Sequence, residues 1–317
     1  MSSDTKNNTF NHYPVMLPEA LEYLNLRSGL IYADGTLGGA GHSSEIVKRI
    51  LPDGRLIGFD LDLEAIAYAT QKLEQYKNNV TIVNENYCNI QNTLNNLNIT
   101  EVTGGVLLDL GASYHQLTKG ERGFSFSKDA PLDMRFSQKA EFSAYDVINS
   151  YPESELVRIF SEYGEERYSK RIAKKIIDKR RISAIKTTKE LASTVIEATP
   201  SYNSKIHPAT RVFQAIRIEV NKEFENIEKA IKQTIPILAK DATFVIISFH
   251  SLEDRLVKNL FKYYSSKCNC SKEQLICKCP PPSLEVITRK PIQASDNETK
   301  QNPPSRSAKL RAARKIN

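Results

Sequence analysis

Apolar positions fall into short runs separated by longer periodic stretches. The runs 31–34, 55–60, 80–84, 105–110 and 243–249 are β-branched or Leu-rich and mostly end at Gly, Asp or Asn, as buried strands do. Between the first two, residues 41–51 set Ile46, Val47 and Ile50 on one helical face. Between the second and third, residues 63–76 do the same with Ile66, Ala69 and Leu73. Alternating strand and helix predicts an α/β fold around a parallel sheet.

The alternation stops after Leu110 and resumes near residue 205. The gap reads as helical. Ser150-Tyr-Pro-Glu153 and Thr187-Thr-Lys-Glu190 each have capping-box spacing before an apolar-periodic run, and residues 166–182 carry Ile172, Ile176 and Ile177 at helical spacing. The expected organisation is a sheet domain in two parts, 1–120 and 206–317, with a helical insert at 121–205 for substrate recognition. A long helix is expected over 211–238. The end of the chain reads as a polar, basic tail with strand-like runs at 284–288 and 308–312.

At 317 residues, 40% of them hydrophobic, the chain can bury a sizeable core. Lys and Arg total 44 against 37 Asp and Glu, and the charge of +7 suits an anionic partner without proving one. There is no basic, apolar leader at the N-terminus and no run of about 18 apolar residues, so neither export nor a membrane span is expected. Four of the five cysteines crowd into one stretch, unlike a secreted disulfide framework, and a cytoplasmic location is expected.

Candidate chemistry concentrates where the first strand ends, in Asp34-Gly-Thr-Leu-Gly-Gly-Ala-Gly-His42. Glycines allow sharp turns and close approach of a ligand, and the following helix aims its N-terminal N–H groups at the same place. The second strand ends at Asp60, where a carboxylate can accept hydrogen bonds from ribose hydroxyls. A dinucleotide fingerprint would carry Gly at position 44, which here is Ser, and Asp34 would repel a pyrophosphate. Asp34 and Asp109, at two further strand ends, instead suit the cationic amino group of S-adenosylmethionine. An NAD-dependent oxidoreductase and a catalytically silent RNA-binding protein are the alternatives.

Eight blocks then carry a resemblance over nearly the whole chain. They are His12-Tyr-Pro-Val-Met-Leu17, the glycine loop, Leu107-Leu-Asp-Leu-Gly111, Arg122-Gly-Phe-Ser-Phe126, Pro131-Leu-Asp-Met-Arg135, Tyr163-Gly-Glu-Glu-Arg167, His207-Pro-Ala-Thr-Arg-Val-Phe-Gln-Ala-Ile-Arg217 and Ser248-Phe-His-Ser-Leu-Glu-Asp-Arg255. In order, they resemble those of the small-subunit ribosomal RNA methyltransferase H family, the cytosine-N4 methyltransferases. The resemblance implies a class I S-adenosylmethionine-dependent methyltransferase fold, Rossmann-like, with an inserted helical domain. It implies methylation of a cytidine N4 amino group in the decoding region of 16S ribosomal RNA, with the RNA or the 30S particle as partner. Carried over by motif, the cofactor contacts would be Ala40, Gly41, His42, Asp60, Tyr87, Asp109 and Gln116. The chain departs from the family in reading Ser113-Tyr114-His115-Gln116 where Ser-Ser-Pro-Gln is usual, and in Tyr87 for the commoner Phe.

Methyl transfer from a sulfonium needs alignment more than acid catalysis, because the leaving group is neutral. The N4 lone pair is delocalised into the ring, and an acceptor for the amino protons should localise it as the bond forms. Asp109 is the first candidate and Asp34 the second. For RNA, residues 167–181 carry eight Lys or Arg against Asp178, and residues 306–315 are similarly basic, so phosphate contact is expected at both. Phe213 reads equally as core or as part of a base pocket. Cys268-Asn-Cys270 and Cys277-Lys-Cys279 could hold Zn²⁺, but C-x-C is tighter than the usual ligand spacing, and no metal is assigned from sequence.

Overall fold

The computed structural model describes residues 13–111, 120–200, 207–270, 277 and 279–317. They form two compact units, Met1–Gly111 with Asn226–Asn317, and Ala112–Glu225. No helix among the described residues is long and apolar enough to cross a membrane.

The first unit is built on one sheet. Strands β1 (Ile31–Asp34), β2 (Arg55–Asp60), β3 (Val80–Asn84), β4 (Gly105–Asp109) and β5 (Thr243–Ser248) are parallel and run β3-β2-β1-β4-β5 across it. Their apolar runs are continuous because both faces are covered: β4 is buried from Gly105 to Leu108 and β5 throughout. This is the expected α/β class. Helices α1 (Leu17–Leu24) and α2 (Gly41–Ile50) contribute to a core of Val15, Leu24, Tyr32, Ile46, Ile50 and Val245. Strand order reverses between β1 and β4, the place where open α/β sheets bind ligands at their carboxyl ends.

Beyond β5 the strand-like runs expected at 284–288 and 308–312 are strands, and what departs from the reading is the free basic tail. The last strand, β8 (Lys309–Lys315), lies antiparallel between β5 and β6 (Leu284–Val286), with β7 (Ile292–Gln293) on the same side as β6. Leu310 and Ala312 are fully buried. Arg311 is 5% exposed and gives its guanidinium to Asp254, at 2.6 and 3.2 Å. Arg314 pairs with Glu285. Arg311 and Arg314 are thus spent on carboxylates within this unit and are not free for phosphate.

The second unit is helical and larger than the interval 121–205. Five helices, α5 (Ala144–Ser150), α6 (Glu153–Glu162), α7 (Ser169–Arg180), α8 (Thr188–Ala198) and α9 (Ala209–Asn221), share one core, with α3 (Leu63–Lys72) and α4 (Ile90–Asn96) belonging to the sheet unit. Helix α9 joins this unit because Ala209, Val212, Phe213 and Ile216 face its core. The single helix expected over 211–238 is two. Lys222 takes a left-handed conformation (φ 50°), and α10 (Glu223–Ile237) starts anew. Thr187 and Glu190 form the expected capping box, whereas α6 is preceded by Pro152 with no side-chain cap; the other box in this unit is Ser143 with Asp146.

Several motif blocks are scaffold. Gly123 (φ 70°) must be glycine, since a Cβ there would stand 2.2 Å from the Pro131 carbonyl oxygen. Arg122 donates to the carbonyls of Arg135 and Phe136, and Asn221 donates to the Met134 carbonyl. Phe213 is core: 4% exposed, it meets Phe126 edge-on at 5.1 Å, which decides against a base-stacking role. Gln214 donates its amide to the Tyr163 carbonyl.

Candidate active site

The carboxyl ends of β1, β2 and β4 bring three aspartates to one edge of the sheet. Asp34 is 1% exposed and braces the loop that follows it. Ser43 Oγ donates to its Oδ2 at 2.6 Å, and the Thr36 N–H donates to its Oδ1 at 3.1 Å. So buried a group is taken up by the loop it braces. Thr36 also ties the loop to the neighbouring strand, for its Oγ1 accepts the Asp109 N–H at 2.7 Å.

The glycine loop has distinct reasons for each small residue. Gly38 (φ 48°) and Ala40 (φ 53°) are left-handed, and Ala40, fully buried, leads into α2. A Cβ at Gly35 would lie 2.2 Å from Leu108 Cδ2 and 2.9 Å from Tyr87 Cβ. Gly41 is pressed by Pro14, 2.9 Å from where its Cβ would be, so packing as well as ligand approach demands it. Tyr87 begins a turn after β3 and comes to this edge half-buried.

Asp60 accepts the N–H of Gly38 on Oδ2 at 2.7 Å and that of Asp62 on Oδ1 at 2.8 Å. A carboxylate offers about four lone-pair positions, so the carboxylate keeps acceptor capacity for a ligand's hydroxyl. Burial pushes its carboxyl from the ordinary 3.8 up to about 6, against the backbone N–H groups of Asp62, Gly38 and Leu61, which pull it down.

Asp109 has the most unusual surroundings. Its Oδ1 is buried and has no hydrogen-bond partner among the described residues. Its Oδ2 lies 3.8 Å from His42 Nδ1. His42 Nε2 is 3.0 Å from the Val15 carbonyl, which can only accept, so Nε2 carries a proton. Burial first, then the charges of Asp34 and Glu253, raises the Asp109 carboxyl well above the ordinary carboxylate range. Glu253 itself is fully buried in helix α11 (Ser251–Ser265), with its Oε2 accepting the Phe249 N–H at 2.8 Å.

The structure therefore brings Ala40, Gly41, His42, Asp60, Tyr87 and Asp109 to one sheet edge. Gln116, with Ser113, Tyr114 and His115, lies outside the described residues. Ala40 and His42 turn their side chains inward, so only their backbone can meet a ligand directly. Sequence reasoning missed Thr36, Ser43 and Glu253. The His250-x-x-Glu253 spacing before an amphipathic helix was the available signal for the last: it is a capping box, with His250 in the place of Ser or Thr. A site that concentrates negative charge in a chain of charge +7 is suited to a cationic ligand group.

Comparison with known proteins identifies the family. The profile of the MraW methylase family matches residues 9–316. A ribosomal RNA small subunit methyltransferase H of Clostridioides difficile is 48% identical over 97% of this chain and 99% of its own length. Proteins of that name from Clostridium botulinum and from a Geobacter species are 48% and 47% identical, with the same coverage.

Proposed function

The chain belongs to the MraW methylase family, and from that premise we propose that it methylates small-subunit ribosomal RNA with S-adenosylmethionine, at the N4 amino group of a cytidine in the decoding region. The observation that carries the reading is the buried Oδ1 of Asp109, without a partner among the described residues, beside two further carboxylates at the switch point of the sheet. An uncompensated acceptor in that position is costly alone, and a cation or an N–H donor relieves it.

The residues present fit the cofactor. Asp60 keeps acceptor capacity for a ribose hydroxyl, Tyr87 offers a ring beside the adenosine position, and the Asp34–Asp109–Glu253 field favours a positive amino acid arm. When bound, S-adenosylmethionine supplies the activated methyl group on its sulfonium. This chain aligns the acceptor amine with that methyl group, and Asp109 accepts a hydrogen bond from the amine. Bringing positive charge to the site pulls the Asp109 pKa down and leaves the carboxylate ionised for that role. The neutral leaving group asks nothing of a general acid.

RNA is proposed to meet the helical unit. On α7, Ile172, Ala173 and Ile176 face the core, and Lys170, Arg171 and Lys174 are exposed within one face. The remaining cations are partly spent: Lys175 pairs with Glu197 at 3.0 Å, and Arg180 donates to the carbonyls of Ile148 and Tyr151.

The test is methyl transfer from labelled S-adenosylmethionine to small-subunit RNA and to its particle, followed by mass spectrometry of the digested RNA. N4-methylcytidine at one position is expected. Label found only on protein or on a small molecule would overturn the assignment, and another methylated nucleoside would overturn the N4 part of it.

A further inference from the structure

We propose that Cys268, Cys270, Cys277 and Cys279 form a structural zinc site. Among the described residues they make a group whose four Sγ atoms all lie within 4.8 Å of one another. Tetrahedral Zn²⁺ with Zn–S bonds of about 2.3 Å sets its sulfurs about 3.8 Å apart, so the donors already stand near the spacing the ion requires. Two contacts are close to it, Cys270 to Cys279 at 3.4 Å and Cys268 to Cys277 at 3.6 Å. Both run between the two C-x-C pairs, so the pairs face each other.

The tight C-x-C spacing is accounted for by the backbone. Residues 268–270 lie in neither helix nor strand. One intervening residue suffices to aim both sulfurs of each pair at one point, as the mutual approach of the four Sγ atoms shows. Two backbone donors also face the sulfurs: the Asn269 N–H reaches Cys279 Sγ at 3.1 Å, and the Cys270 N–H reaches Cys268 Sγ at 3.5 Å. Such donors stabilise thiolates and are the usual outer shell of thiolate–metal sites. Cys268 and Cys277 are exposed and Cys270 and Cys279 half-buried, whereas Cys88 is in the core. Four cysteines held together on a surface are not there for apolar packing. No disulfide joins them, and an all-sulfur tetrahedron selects Zn²⁺ over Mg²⁺ or Ca²⁺.

The place gives the ion a purpose. The group follows the end of α11, where Asn269 caps the Tyr263 carbonyl through its amide at 2.9 Å. It precedes β6, and Ser283 there donates its N–H to the Tyr264 carbonyl at 2.9 Å. Zinc would fasten the chain as it leaves α11 to the chain as it enters β6, fixing the helix that carries Glu253 against the antiparallel edge of the sheet.

Elemental analysis of the full chain, purified without added metal or chelator, should find one zinc per chain. Replacing all four cysteines by Ser should abolish it, and Cys88→Ser should retain it. Co²⁺ exchanged into the unaltered chain should give the visible bands of tetrahedral thiolate coordination, a readout independent of how well the variant folds. A chelator should lower the melting temperature of the unaltered protein and leave the four-Ser variant unmoved. A chain without zinc whose four thiols are all alkylated rapidly would overturn the site. So would two disulfides by mass, or iron with inorganic sulfide in place of zinc.

Discussion

Gly38 donates its N–H to Asp60 Oδ2 at 2.7 Å, so the loop leaving β1 hangs from the carboxylate that ends β2. Asp60 therefore has two tasks, shaping the glycine loop and offering its remaining acceptor capacity to a ribose. Asp60→Ala should weaken S-adenosylmethionine binding by about 10- to 150-fold, the loss of charge-assisted hydrogen bonds worth roughly 1.5–3 kcal/mol. Calorimetric titration checks it. An unchanged affinity would show that the ribose is held elsewhere.

The same carboxyl gives the cofactor-free protein a pH signature. Its pKa in the folded state, about 6, exceeds the ordinary 3.8, so the folded chain binds its proton more tightly than the unfolded chain. Stability should then fall as pH rises from about 4 to about 6, by up to roughly 3 kcal/mol for this group, and be level above. Denaturant unfolding across that range should show a weaker fall in Asp60→Asn than in the unaltered protein. Parallel curves would mean that the carboxyl is not held in its proton-bound form.

Asp109→Asn should lower the single-turnover rate of methyl transfer by about 100-fold or more, the loss expected when an oriented acceptor for developing charge is removed. Cofactor binding should weaken as well, since one of three carboxylates facing the cation is gone. The fall in affinity should be the smaller effect. A variant with full single-turnover rate would remove Asp109 from the chemistry.

Replacing Lys170, Arg171 and Lys174 together by Gln should reduce the salt slope of RNA affinity by about 2–3 units in log–log form, as three lost phosphate contacts would. Cofactor affinity should stay as it was. RNA binding across a salt series, beside cofactor titration of the same variant, measures both. An unchanged slope in a folded variant would make that face of α7 a solvated surface only.

Most of the sheet was legible because buried parallel strands announce themselves as unbroken β-branched runs, and the three aspartates were legible because each closes one of them. What sequence could not supply was proximity. Glu253 and Asp109 are far apart in the chain, and only the pairing of β4 with β5 makes one carboxylate raise the pKa of the other. The break at Lys222 carries no Gly or Pro to mark it, so two helices read as one. The run at 308–312 was legible as a strand and forms part of β8, but that Arg311 is spent on Asp254 was not, because that pairing is long-range.

The insertion of Ala112–Glu225 between β4 and β5 bears on the order in which the protein assembles. These two strands are partners in the sheet, yet the entire helical unit must be spanned before they can meet. Such a pairing is entropically slow while the intervening chain is unstructured. The helical unit has its own core, so it can fold first and shorten the loop that β4 and β5 must close. The buried acceptor of Asp109, at the end of β4, thus comes into being only at the last long-range step, when β5 arrives beside it and brings Glu253 with it. Refolding followed by helix signal should run ahead of refolding followed by cofactor binding.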